Sequence, residues 1–144
     1  MASVSWPEPK PGLVIRYSYL WAGEAAEGRD DGVKDRPCAV VLVVKDDDRR
    51  TRVRVLPVTH SPPPDPKNAM EIPAETKRRL GLDVFKSWIV LNEANDFSWP
   101  GPDLRPAVQG DLHTVVYGTL PPMFFQALKK RLASQRGRLV RRSE

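Results

Sequence analysis

The chain has 144 residues, 40% hydrophobic and 28% charged, a length and composition that suit one soluble domain with one core. No apolar run approaches the roughly 20 residues of a membrane helix, and fifteen prolines argue against an all-helical bundle. The net charge of +5 is uneven: Lys129, Lys130, Arg131, Arg136, Arg138, Arg141 and Arg142 face only Glu144, and the rest of the chain is close to neutral. That basic segment suits nucleic acid, DNA included, or an acidic partner, and equally a solvated tail.

In chain order, residues 1–11 hold Pro7, Pro9 and Pro11 and read as an extended arm. The N-terminus shows no basic region followed by an apolar stretch, so no signal peptide is expected. Residues 13–21 are a β-rich run with Ile15, Tyr17, Tyr19 and Trp21 on one parity. Residues 22–34 are polar, contain three glycines and read as a mobile loop. Asp35, Arg36 and Pro37 then lead into a run of small and apolar residues through Val44. Pro37 disfavours the helical region for Arg36, and the β-branched run predicts a strand buried on both faces. Arg36 thus sits at the rim of a core, placed either to bind a ligand or to pair with a nearby carboxylate. Cys38 is the only cysteine; it cannot form an internal disulfide, reads as packing rather than reactive, and fits a reducing cytoplasm.

Residues 45–50 are a charged hairpin connection. Residues 51–59 form the next antiparallel strand, with Val53 and Val55 inward and Arg52 and Arg54 outward. Pro57 predicts an edge or a bulge there. Four prolines in 61–67 make a stiff loop after Thr59 and His60. Residues 71–73 suggest a short strand and 74–80 a helical turn ended by Gly81. Residues 87–91 are an apolar strand that exits into Asn92, Glu93, Asn95 and Asp96. Residues 103–112 are irregular, and 115–120 give a last strand. A terminal helix then starts at Pro121 or Pro122, with Thr119 a candidate cap and Met123, Phe124, Ala127, Leu128 and Leu132 as its packing face. It frays after Ala133, and 136–144 reads as disordered. The organisation is an arm (1–11), a domain (12–133) and a basic tail (134–144). The fold class is mainly β (α+β), a small barrel or curled sheet with a short internal helix and a C-terminal helix.

No cluster of His, Cys or carboxylates has metal-ligand spacing, and no phosphate loop or nucleophile elbow is present. What remains is polar strand ends: Arg36 before one strand; Thr59, His60 and Ser61 after another; Asn92, Glu93, Asn95 and Asp96 after a third. If those ends converge, they supply a cation, hydroxyls, amides, carboxylates and an imidazole. Cleavage of RNA by its own 2′-hydroxyl needs such an inventory: a proton acceptor, a proton donor and a cation for the phosphorane charge.

These segments, in this order, resemble the MazF/PemK family of toxins from toxin–antitoxin pairs over roughly residues 11–132. The likeness is carried by Arg36-Pro37 before a Val-rich strand, by Pro57-Val58-Thr59 ending the next, and by Gly118-Thr119-Leu120-Pro121 opening the last helix. Residues 91–97 follow the family pattern more loosely. The resemblance implies an SH3-like β-barrel working as a homodimer. It also implies a metal-independent, cofactor-free, sequence-selective endoribonuclease that leaves a 2′,3′-cyclic phosphate on single-stranded RNA. A cognate antitoxin would occupy the RNA groove. Arg36 carries over as the catalytic arginine, stabilising charge rather than moving protons, and Thr59 as the catalytic threonine. Ser61, Asn92, Glu93 and Asn95 would contact substrate.

Where the family often has Asp-Gln and then a base, this chain has Asn92-Glu93 and then Asn95. His60 is a candidate substitute acid or base, since an imidazole's ordinary pKa of about 6.5 suits both directions; it is equally a prop for the proline-rich loop. Trp6, Trp21 and Trp99 are candidate stacking platforms or core residues. The insertion at 100–114 lines the groove or covers a strand edge. Two rival functions remain: a family member that binds RNA or a protein partner without cutting, and a topoisomerase-poisoning toxin of the same fold.

Overall fold

The computed structural model describes residues 4–28, 34–135 and 137–142. Three long segments make its centre: β1 (Leu13–Tyr17), β2 (Arg36–Lys45) and β3 (Thr51–Thr59), joined as antiparallel neighbours. Further strands flank them: β4 (Ala69–Glu71), β5 (Trp88–Val90), β6 (Glu93–Trp99), β7 (Val116–Thr119) and β8 (Arg138–Arg141). The helices are α1 (Ala22–Ala26), α2 (Ala74–Arg79) and α3 (Pro122–Ala133). The strand path runs β4-β5-β3-β2-β1-β7, with β6 beside β3 and β8 beside β6. β4 and β7 end that path without pairing to each other among the described residues, so the sheet is not a closed barrel. The α+β class, mainly β, is as the sequence indicates. No helix among the described residues is long and apolar enough to cross a membrane.

The central strands are buried on both faces, as the β-branched run predicts. Val14, Ala39, Leu56 and Val58 point to one apolar cluster, beneath α3; Ile15, Cys38, Val40, Val53 and Val55 point to the other, with Tyr17 and Phe97. The Tyr17 and Phe97 rings stack at 4.6 Å. The outer half of β2 departs from this pattern. The register shifts between Val40 and Leu42, making Val41 an extra residue in the ladder. A one-residue insertion reverses the alternation that follows. Val43 therefore packs inward, while Leu42 and Val44 are exposed.

Pro57 lies at neither an outer edge nor the bulge. It pairs with Cys38 in β2, on a strand whose other edge changes partner: residues 51–55 lie against β6 and residues 58–59 against β5. A residue without an N–H fits this handover, where no ladder runs on the second side.

Helix α3 starts at Pro122, with Pro121 rather than Thr119 at its N-cap. Its inward face is also displaced from the predicted one. Phe125 and Leu128 are buried and Phe124 and Leu132 pack against them, while Ala127 is exposed and Met123 is 87% exposed. Leu128→Ala should lower stability by about 2–5 kcal/mol, the usual cost of emptying a core leucine site, and Met123→Ala should change it by less than about 0.5 kcal/mol. Urea unfolding of both variants checks the displaced face.

Two segments differ from expectation, and a third, the insertion, meets one of its two expected alternatives. Of the predicted mobile loop, residues 22–26 form α1, Lys34 is exposed, and 29–33 lie outside the described residues. In the insertion, Leu104 is buried and bridges Tyr17, Asp103 O accepts from Ser18 N at 2.9 Å, and Arg105 N donates to Arg16 O at 3.0 Å. These contacts put 103–105 along the edge of β1 past the end of its pairing with β7. Residues 138–142 are ordered, not a disordered tail. β8 pairs in parallel with β6, from Glu93↔Arg138 to Asp96↔Arg141. Gly137 permits that approach: a Cβ there would come within 2.8 Å of the Asn92 backbone.

Arg142 then closes the strap from inside. Its side chain is 2% exposed, pairs with Asp103 at 2.9 Å, and donates to Ser18 O at 2.7 Å and Asn95 Oδ1 at 3.0 Å. Removing one member of a buried, hydrogen-bonded ion pair leaves the other uncompensated. Arg142→Met should therefore cost about 3–5 kcal/mol in denaturant unfolding.

Candidate functional site

Arg36 opens β2 opposite the end of β3. The register pairs Cys38 with Pro57, and two more steps bring Arg36 level with Thr59. Arg36 Nη1 donates to Val58 O at 3.2 Å, and its guanidinium carbon lies 4.9 Å from the centre of the Trp21 ring. The group is held between a carbonyl and an indole face. It forms no ion pair among the described residues, and its buried Nε has no hydrogen-bond partner there. Neighbouring Asp35 is engaged elsewhere, 4.0 Å from Arg16 and 3.6 Å from Arg105. Among the described residues, the expected alternative of a cation paired with a carboxylate at the strand entrance is not met.

Arg36, Thr59, His60 and Ser61 line one cleft of about 480 Å³, together with Trp21 and Asp83. Trp21, Thr59 and Ser61 also line a second cleft of about 490 Å³, whose far wall is Pro62–64, Asn68 and Asn92. The two hollows share a wall and form one groove across the end of β3. Thr59 Oγ1 accepts from Ser61 N at 3.1 Å, which orients the hydroxyl and leaves its own proton available for donation.

The convergence of strand ends is thus partial. Arg36, Thr59, His60, Ser61 and Asn92 reach the groove; Glu93 and Asn95 do not. Glu93, Asn95 and Phe97 share the inner parity of β6. Asn95 is fully buried, accepting from Leu20 N at 2.9 Å and donating to Leu20 O at 2.7 Å. Glu93 Oε1 accepts from Tyr19 Oη and from Ala22 N, each at 3.0 Å. Burial, then Glu93, drives the Tyr19 phenol pKa upward, so it remains a donor. Both residues expected at the substrate instead clamp the backbone on either side of Trp21, and so place the indole against Arg36. Asp96 likewise serves the fold, accepting from Arg52 Nε at 2.9 Å. Trp6 and Trp99 pack against the core, and Trp99 Nε1 donates to Pro7 O at 3.1 Å, tying down the N-terminal arm.

Three further groups stand behind His60. Its Nε2 is 2.7 Å from Asp83 Oδ2. Asp83 Oδ1 is 2.5 Å from Lys77 Nζ, which also donates to Ser87 Oγ at 2.7 Å and to Phe85 O. Lys77 is 4% exposed, an ammonium fully occupied by acceptors. Desolvation pushes the Asp83 pKa up, but hydrogen bonds from Lys77 and His60 outweigh it and hold the carboxyl below its ordinary range. In sequence, Lys77 reads as the polar face of a short helix and Asp83 as one of many surface carboxylates. Only the burial of Lys77 reveals the link.

No group of three or more His, Cys, Asp or Glu among the described residues could hold a metal ion. Comparison of the chain with protein-family models and with characterised proteins returned no match.

Cys38 is fully buried between β1 and β3, and desolvation raises its thiol pKa well above the ordinary value despite Arg36 and Arg142 nearby. It should resist alkylation by iodoacetamide at pH 8 in the folded protein and react fully in guanidinium, as followed by mass spectrometry.

Proposed function

We propose that the protein is a metal-independent endoribonuclease of the MazF/PemK type that cuts single-stranded RNA in the groove across the end of β3. The observation that carries this reading is Arg36: a guanidinium held by Trp21 and Val58 O, without a carboxylate partner among the described residues, in the same cleft as Thr59. A cation already ordered and only partly hydrogen-bonded can meet phosphate at little reorganisation cost.

In this reading a 2′-oxygen attacks the adjacent phosphorus. The new O2′–P bond forms, negative charge grows on the non-bridging oxygens beside Arg36, and the P–O5′ bond breaks. The products are a 2′,3′-cyclic phosphate and a 5′-hydroxyl. Thr59 Oγ donates to a phosphate oxygen, and Trp21 offers a ring at the junction of the two hollows. The proline-lined hollow, with Asn68 and Asn92, suits an unstacked base better than a phosphate. β3, shared between two neighbours on one edge, is compatible with a half-open SH3-like barrel, which belongs to this proposal with the homodimer, the antitoxin and a cytoplasmic location.

The test is incubation with a long single-stranded RNA in EDTA, with the new ends mapped. Discrete cuts bearing cyclic phosphate are expected, reduced by about 10²–10³-fold in Arg36→Ala, the range for losing one transition-state donor, and strongly reduced in Thr59→Ala. Intact RNA across a wide concentration range would overturn the nuclease reading. RNA bound but uncut would assign the groove to recognition alone.

A further inference from the structure

We propose that His60 is the general base of this cleavage, accepting the 2′-hydroxyl proton at Nδ1, and that Asp83, anchored by buried Lys77, is the positioning residue that fixes the required tautomer. The inference rests on the nuclease reading and adds the group that handles the proton, which Arg36 cannot do at neutral pH.

Lys77 anchors the arrangement. Its three acceptors are Asp83, Ser87 and the Phe85 carbonyl. The helix that carries it is seated by Leu80, which is 5% exposed. Asp83 is thus tied to the core although its own side chain is 42% exposed. Its Oδ1 also accepts from Phe85 N at 3.2 Å, fixing the carboxylate plane. The other oxygen, Oδ2, meets His60 Nε2 at 2.7 Å. A carboxylate can only accept, so Nε2 carries the proton. In the neutral imidazole the lone pair is then on Nδ1. The Phe85 ring stands edge-on to the imidazole at 5.9 Å between centres and limits its swing.

The surroundings suit a base that gains charge as it works. Around His60 the cleft holds Asp83 and Asp35 as anions and Arg36, Lys34 and Lys77 as cations. Of these described charged groups Asp83 is the one in contact with the ring, so imidazolium formed at Nδ1 is stabilised directly. Lys77 is already paired with that same carboxylate. When the O2′–P bond forms, the proton moves to Nδ1. When P–O5′ breaks, the leaving oxygen takes that proton from the imidazolium, directly or relayed through a water, and the ring returns to neutral.

Cleavage by the full chain would be followed between roughly pH 5 and pH 8, where imidazoles titrate, for wild type, His60→Ala, Asp83→Asn and Asp83→Glu. Wild-type rate should rise with pH to a plateau. His60→Ala should be slower by at least about 10²-fold, the usual contribution of a general base, and should lose that limb. In Asp83→Asn the amide can donate to Nε2 and force the proton onto Nδ1, so the rate should fall sharply at every pH. Asp83→Glu should recover part of it. Imidazole ¹⁵N NMR of the wild-type protein should show the Nε2–H tautomer, reversed in Asp83→Asn while the remaining spectrum stays folded.

Wild-type cleavage with unchanged profiles in His60→Ala and Asp83→Asn would overturn the base assignment and leave the nuclease reading standing. An Nδ1–H tautomer in the wild type would overturn the role of Asp83. Absence of wild-type cleavage would overturn the nuclease reading and the base role with it.

Discussion

The structure depends on the way β3 divides its outer edge. One side of the strand lies against β2 along most of its length. The other side lies first against β6 and then, past Leu56 and Pro57, against β5. A single strand with two successive neighbours must bend between them, and a proline at the bend leaves no N–H unpaired. The bend lies within a strand whose pleat sends Val53 and Val55 to one apolar cluster and Leu56 and Val58 to the other. It also delivers Thr59 and His60 to the place where β2 begins with Arg36. The groove is therefore a product of strand pairing, and its loops decorate a wall the core has already set.

Two arginines show how differently the fold treats a guanidinium. Arg142 is buried among Asp103, Ser18 O and Asn95, and its charge is consumed within the molecule. Arg36 is only half-buried, holds a carbonyl and an indole, and keeps part of its donor fork unoccupied. Desolvating a charge without pairing it is unfavourable, so a half-open position against an aromatic face is a compromise. The cation remains ordered without being neutralised. The two are linked: Asn95 bonds both Arg142 and the backbone of Leu20, and Trp21, the next residue, covers Arg36.

The parts legible in the sequence are those that local chemistry decides. Pro37 and the β-branched run after it suffice to place Arg36 at a rim, and Pro121 with Pro122 suffices to start a helix. Thr59 and His60 follow a strand whose alternation is visible. The rest depended on partners far away in the chain. The bulge at Val41 leaves no mark, because Val, Leu and Val read alike in either register. Met123 and Phe125 compete for the same helix face, and packing under α3 decides for Phe125. Leu139 and Val140 among arginines look like tail, since the edge they complete belongs to β6. Glu93 and Asn95 have the composition of ligand residues, but the pleat turns them inward to backbone groups more than 70 residues away. Asp83 is inconspicuous until Lys77 is seen to be buried.

The strap formed by β8 has a consequence for the order in which the molecule is built. Arg142 meets Tyr17 across 125 residues of sequence, and contacts of such separation carry a large closure entropy and form late. A ribosome releases the strands that frame the groove well before it releases the residue that braces the segment bearing Trp21. Until then the wall behind Arg36 lacks its deepest support. Whatever the groove acts upon, the growing chain meets it with that wall unbraced, and the finished one meets it with the wall locked.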